Sequence, residues 1–177
     1  MTGYQQAILY LCGSQMGNRF CVRNVDRHYL DAVADLFPGV TIYLQQRQQE
    51  GKKDYWCIKS PRVANPQLSE VSDLYGFTQG LIELQGSLTC YTIIDKRRGK
   101  PAYRRRFSVY GSAGDLNFIK PCIPGREREV KPVKTNTGET NCLMYQSKKE
   151  IEAILDYFSA TDNINAAVWN KWRGKLI

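Results

Sequence analysis

Apolar positions along the 177-residue chain change their period several times, and each change marks an element. Between residues 25 and 37, Tyr29, Leu30, Val33, Leu36 and Phe37 recur at the spacing of one helical face, and Pro38 with Gly39 ends the run. Residues 40–45 and 54–59 read as strands joined by the polar segment QRQQEGKK, the pattern of a hairpin. Farther on, residues 116–123 read as a short helix stopped by Pro124 and Gly125. A strand pair follows around residues 130–134 and 141–146, and then a helix over 148–158. The remainder is expected to be helical, with Ile164, Ala167, Val168 and Trp172 as its apolar positions, and residues 60–66 read as a linker.

The chain also repeats itself. Residues 3–14, GYQQAILYLCGS, align without a gap on residues 76–87, GFTQGLIELQGS; five positions are identical and four conservative, so nine of twelve agree. Each copy opens a similar series, in which a helix and a first strand lead to a second strand reading RFCV at 19–22 or RFSV at 106–109. A duplicated unit follows, with boundaries at 1–64 and 65–177 and one compact pseudo-two-fold arrangement. The order helix, strand, strand, helix, strand, strand, helix occurs twice, an α+β pattern. The closing helix of the first unit is expected to run from about Asn65 into the opening helix of the second. Within the two opening helices, small residues stand four apart, Gly3 with Ala7 and Gly76 with Gly80. That spacing puts both on one face and lets another helix approach closely, so the two opening helices are expected to pack on each other.

Charge narrows the ligand class. Twenty-five Lys and Arg against 17 Asp and Glu give a net charge of +8, which favours an anionic partner, nucleic acid or an acidic membrane surface. No apolar run approaches the roughly 20 residues of a membrane span, and the first 15 residues lack a basic leader with a cleavage site. An intracellular protein without a membrane partner is therefore expected. Six cysteines form no CxxC pair and His28 is the only histidine, which excludes a zinc finger and disfavours a histidine-based nuclease. The cysteines read as free thiols of a reducing compartment, cytoplasm or organelle interior.

Residues 78–86, TQGLIELQG, resemble the LAGLIDADG signature of homing endonucleases and their maturase relatives, matching at Gly80, Leu81, Ile82 and Gly86, with Glu83 standing for the first acid. Residues 5–13, QQAILYLCG, are a weaker match, and residues 150–172 are similar to the family's closing stretch. The resemblance covers nearly the whole chain and suits the single-chain, two-repeat form. It implies two αββαββα repeats forming an antiparallel β saddle on the major groove of double-stranded DNA, with helices on the other face. It also implies an acid from each paired helix at the scissile phosphates. Two such carboxylates repel each other and call for divalent cations, which activate water and stabilise the leaving oxygen.

The chain departs from that pattern at its chemical centre. Where the family carries its catalytic acid, before the final glycine of the signature, stand Cys12 and Gln85, and neither is an anionic hard-oxygen ligand for Mg²⁺. Glu83 lies two residues away, about 200° around a helix, and its counterpart is Tyr10. The resemblance also implies a basic residue on the fourth strand for a phosphate contact; Lys59 matches it in the first unit, and Gln146 stands in the corresponding stretch of the second. These residues imply a DNA-binding protein with lost or impaired cleavage, no metal and no cofactor. The alternatives are an active Mg²⁺-dependent site-specific endonuclease using Glu83 or a displaced acid, and an intron RNA-splicing maturase that binds structured RNA.

Basic residues suggest the binding surface. In the second unit the first two strands are joined by DKRRGKPAYRRR, carrying Lys96, Arg97, Arg98, Lys100, Arg104, Arg105 and Arg106, suited to following a groove and neutralising phosphates. Its other reading is a solvated charged turn. In the first unit Arg19, Arg23, Gln45, Gln46, Arg47 and Gln49 offer the side chains suited to bidentate contacts with guanine and adenine. Arg126, Arg128, Lys131 and Lys134 add a basic stretch expected on the third strand of the second unit. A monomer is expected, and a scaffold whose charge serves only solubility is the remaining alternative.

Overall fold

The computed structural model describes residues 1–12, 14–16, 19–46, 54–59, 66–135, 138–159 and 165–176. In chain order the elements are α1 (Gly3–Cys12), β1 (Ser14–Met16), β2 (Arg19–Asn24), α2 (Arg27–Asp35), β3 (Thr41–Gln45), β4 (Tyr55–Lys59), α3 (Leu74–Gln85), β5 (Gly86–Asp95), β6 (Lys100–Gly111), α4 (Ala113–Ile119), β7 (Lys131–Thr135), β8 (Gly138–Tyr145), α5 (Lys148–Ser159) and α6 (Ala166–Gly174). Two compact units, Met1–Gly80 and Leu81–Ile177, divide the chain within α3. The repeat boundary at 64/65 lies among residues outside the description.

Each unit holds a four-stranded antiparallel sheet of the same order, β1-β2-β4-β3 in the first and β5-β6-β8-β7 in the second. The α+β class and the two antiparallel sheets agree with the sequence pattern. A single 3₁₀ turn, Leu68–Glu70, stands among the described residues where the closing helix of the first repeat was expected. Pro66 before it and the short gap to α3 leave little chain for a helix there.

In the first unit α2 starts where Asp26 accepts hydrogen bonds from the backbone N–H groups of His28 (3.0 Å) and Tyr29 (3.4 Å). Its buried stripe is Tyr29, Leu30 and Val33. Gly39, at φ 80°, makes the turn into β3 in a conformation a side chain would strain. Strand pairing sets Val22 beside Ile58, both buried, with Trp56 on the same face. The Arg27 guanidinium of α2 lies 4.5 Å from the Trp56 ring centroid, which identifies this as the face α2 covers.

The second unit is built the same way, with two tryptophans, Trp169 and Trp172, buried in its core. Leu88, Phe107, Val109, Leu143 and Tyr145 line the inner face of its sheet. Phe107 packs edge-on against Trp172 of α6 at 5.3 Å, and Trp169 against Trp172 at the same distance. Ser112 and Asp115 form a reciprocal capping box at the start of α4, which explains the helix's early beginning relative to its apolar residues.

Candidate nucleic-acid interface

Strand alternation sends the remaining side chains to the opposite, outer face of each sheet. In the first unit register aligns Cys21, Lys59 and Thr41 in one row and Arg23, Cys57 and Tyr43 in the next, with Gln45 beside Tyr55. Cys21 and Cys57 are buried beneath their longer neighbours, whereas Arg19, Arg23, Thr41, Gln45 and Lys59 are exposed. Two cations lie over tyrosines: Lys59 Nζ is 5.0 Å from the Tyr43 ring centroid, and the Arg23 guanidinium 5.6 Å from that of Tyr55. Burial pushes the Cys57 thiol up and, with Cys57 beside it, the Tyr43 phenol too, so both groups under this face stay neutral. Gln46 is exposed just past β3, and Arg47 and Gln49 lie outside the described residues.

In the second unit the outer face carries Tyr91, Arg104, Arg106, Tyr110, Met144 and Lys131. The Arg106 guanidinium lies 5.5 Å from the Tyr91 ring centroid and donates a 3.2 Å hydrogen bond to its hydroxyl. Arg105 points to the opposite face, 4.6 Å from the Tyr103 ring. Only four residues, Lys96 to Gly99, form the turn of this hairpin; Lys100 and Arg104 to Arg106 belong to β6 itself. Gly99 closes the turn at φ 62°. The third strand begins at Lys131, so Arg126 and Arg128 precede it. Arg126 is exposed, while Arg128 is held by both carboxylate oxygens of Glu150 at 2.6 Å, an ion pair that ties the loop to α5. Lys131 and Lys134 are three apart on the strand and so face opposite sides.

Register also corrects the counterpart of Lys59. Val22 pairs with Ile58 as Val109 pairs with Leu143, and Cys21 faces Lys59 as Ser108 faces Met144. Met144 therefore occupies the position in the second sheet equivalent to Lys59, and Gln146 comes two residues later.

The helical seam lies within the first unit. A Cβ on Gly80 would stand 2.7 Å from Ala7 Cβ, and one on Gly3 would stand 1.9 Å from the carbonyl oxygen of Asp73. Asp73, which the sequence did not single out, accepts from the N–H of Gly3 (3.0 Å) and of Gly76 (2.9 Å), so one carboxylate caps the N-termini of α1 and α3. The lack of a side chain at Gly76 makes room for this carboxylate, and that at Gly3 for the Asp73 backbone carbonyl. Tyr10 meets Phe77 edge-on at 5.9 Å farther along the seam.

This architecture has solved counterparts. The meganuclease I-SmaMI bound to uncleaveable DNA superposes with a TM-score of 0.67 at 10% identity, covering 99% of this chain and 90% of that one. The chain has a LAGLIDADG-like fold. The LAGLIDADG meganuclease I-AabMI bound to uncleaved DNA matches with a TM-score of 0.55 at 10% identity over 99% of this chain and 92% of its own. The N-terminal LAGLIDADG domain of DUF199/WhiA matches at 0.56 and 10% identity over 90% and 82%. No protein-family model matches the sequence, and no curated protein does at a significant level.

Against the LAGLIDADG signature, the residues at the acid positions do not suit Mg²⁺. Burial pushes the Cys12 thiol up to about 11, which keeps it a neutral thiol near neutral pH. Gln85 is a neutral amide lining a hollow of about 320 Å³ with Tyr110, Thr135, Gly138, Glu139 and Thr140. The carboxylate there, Glu139, is 77% exposed and lies 4.0 Å from Lys134 Nζ. Glu83 is buried and accepts a 2.5 Å hydrogen bond from the indole N–H of Trp169, so it serves the core of the second unit. Among the described residues, no three His, Cys, Asp or Glu side chains gather as metal ligands. A hard divalent cation wants several anionic or carbonyl oxygens, and these positions supply a thiol and an amide.

Proposed function

We propose that the protein binds double-stranded DNA in the major groove through the outer faces of its two sheets and has lost metal-dependent cleavage at the signature positions. The observation that carries this reading is the outer-face chemistry: exposed Arg19, Arg23, Gln45 and Lys59 on one sheet, and Arg104 and Lys131 on the other, interleaved with tyrosines. Cations of this kind neutralise phosphates and release counterions, and Arg and Gln have the geometry to read guanine and adenine edges. The DNA bound to I-SmaMI and I-AabMI, which share the fold, supports the ligand class. The neutral Cys12 thiol, the Gln85 amide and the engagement of Glu83 with Trp169 support the loss of cleavage.

Binding needs nothing from a metal on this reading. The cation and tyrosine pairs hold guanidinium and ammonium groups on the sheet before a ligand arrives, which lowers the ordering cost on binding. The protein acts as a monomer inside a reducing compartment, consistent with its six free thiols.

Selection from a random duplex library supplies the experiment. The wild-type protein is expected to enrich a duplex site, to hold it against a folded RNA competitor, and to leave a plasmid bearing that site intact in Mg²⁺ buffer. The Cys12→Asp, Gln85→Asp double variant is expected to gain Mg²⁺ binding or nicking. Linearisation of the plasmid by the wild type would overturn the loss of cleavage, and preference for the folded RNA would favour the maturase alternative.

A further inference from the structure

The positive charge is not shared evenly between the two compact units. Residues 1–80 hold eight basic and seven acidic residues, net +1, while residues 81–177 hold seventeen and ten, net +7. Most of that excess sits in one feature. Strands β5 and β6 pair over ten rows, from Gly86 with Val109 to Asp95 with Lys100, but β8 supports β6 only from Phe107 to Gly111. The seven rows from Thr89 with Arg106 to Asp95 with Lys100 thus form a two-stranded ribbon without a third strand. Residues 89–106 carry seven cations and one acid, net +6 of the chain's +8.

The ribbon is charged along its outer face and at its tip, and its other face carries one cation, Arg105, among Thr92, Ile94, Pro101 and Tyr103. Lys100, Arg104 and Arg106 continue the outer face, Arg105 lies on the other side, and Lys96, Arg97 and Arg98 occupy the turn. Its acid is committed to the turn, where the Asp95 side chain accepts from the Arg97 N–H at 3.0 Å and its carbonyl from those of Arg98 and Gly99. The base is braced by the C-terminal segment: Lys175 Nζ donates to the Leu88 carbonyl at 2.7 Å, and the Lys175 carbonyl accepts from Cys90 and Tyr103. A ribbon resting on a flat polyanion would need cations on one face only. Cations on both faces suit insertion between two phosphate walls, and the major groove of duplex DNA admits a two-stranded ribbon. Among the described residues of the first unit, β1 and β2 pair over three rows.

We propose that the residue 89–106 ribbon is the electrostatic anchor of the protein, entering a groove of duplex DNA and supplying most of the salt-dependent affinity, while the outer face of the first unit contributes a smaller share of it. This assignment rests on the duplex-DNA reading above.

The experiment compares two triple variants of equal charge change, each checked for an unchanged circular dichroism melt, by fluorescence anisotropy on a labelled duplex across a salt series. Arg98→Ala, Lys100→Ala, Arg104→Ala is expected to lower the slope of log K against log salt by about 2.7, the loss of three phosphate contacts. Arg19→Ala, Arg23→Ala, Lys59→Ala is expected to lower it by less than about 1. Arg105→Ala alone, which removes the cation of the far face, is expected to lower it by about 0.9. Equal losses from the two triple variants, or a larger loss from the first unit, overturn the anchor while leaving duplex binding intact. No change from Arg105→Ala overturns the two-walled groove. Failure of the wild type to bind any duplex at low salt removes both this inference and the function on which it rests.

Discussion

The two sheets share an order and a register yet present different chemistry. Where the first outer face has Arg23 and Lys59, the equivalent positions of the second have Tyr110 and Met144. Where the first has Tyr43, the second has Lys131. The inner faces differ far less, since Val22 and Ile58 correspond to Val109 and Leu143 and all four are buried. The difference teaches that a duplicated fold constrains the side chains that pack and leaves those facing solvent free to diverge. Here the second unit carries most of its excess cations in the longer β5–β6 hairpin rather than in the body of its sheet.

That comparison can be broken most severely at the seam. Gly3→Val in the first unit forces a side chain onto the Asp73 carbonyl and is expected to cost roughly 3 kcal/mol or more. Gly114→Ala at the start of α4 meets only Ser112 Oγ at 3.6 Å and is expected to be neutral or slightly stabilising. Urea denaturation of both variants checks the contrast, and comparable losses would mean that the seam is not tightly packed. Asp73→Ala removes a carboxylate bonded to two helix N-termini and is expected to cost about 2 kcal/mol, against about 1 kcal/mol for either Asp26→Ala or Ser112→Ala. The same denaturation series ranks the three.

Alkaline pH should weaken the fold. Burial raises the Cys12 thiol to about 11 and the Tyr145 phenol to about 12. As pH climbs above the ordinary thiol value of about 8.5, the unfolded chain gives up the Cys12 proton while the folded one keeps it. The unfolded state then binds fewer protons, so stability falls with rising pH until the folded thiol itself ionises. Below the ordinary value both states are protonated and this residue contributes no pH dependence. Melting curves between pH 8 and 11 are expected to fall less steeply for Cys12→Ala than for the wild type. The smallest effect sharpens the comparison at a single equivalent pair: Lys59→Met should lower the salt slope of duplex binding by at most about 0.9, and Met144→Lys should raise it by a similar amount. Opposite signs are the informative result, and a decrease from both would contradict the equivalence.

The legible part of the molecule was its packing. Tyr29, Leu30 and Val33 appear in the sequence at helical spacing and are buried on α2. The twelve-position repeat of residues 3–14 and 76–87, agreeing at nine positions, anticipated a duplicated unit, and Gly80 does lie against Ala7. The candidate site was less legible because its chemistry depends on neighbours distant in sequence. Asp73 looks like an ordinary loop acid until the N–H of Gly3, seventy residues away, is found beside it. Glu83 reads as a displaced catalytic acid until Trp169 donates to it. Arg128 belongs to a basic stretch in sequence and to an ion pair with Glu150 in space. A cue for the tyrosines did exist, since Tyr43 stands two residues from Thr41 and Gln45, and Tyr91 two residues from Thr89, which puts them on the polar face of their strands.

By itself the sequence determined the α+β class, the duplicated series of elements, the excess of cations and the absence of carboxylates at positions 12 and 85, because these depend on residue identity and local period. Tertiary structure alone decided which cations share a face. Strand register makes Met144 and not Gln146 the counterpart of Lys59, and separates Arg105 from Arg104 and Arg106. A shift of one residue in pairing would move every side chain of a strand to the other face, and that shift is fixed by contacts across the sheet rather than by any run of letters along it.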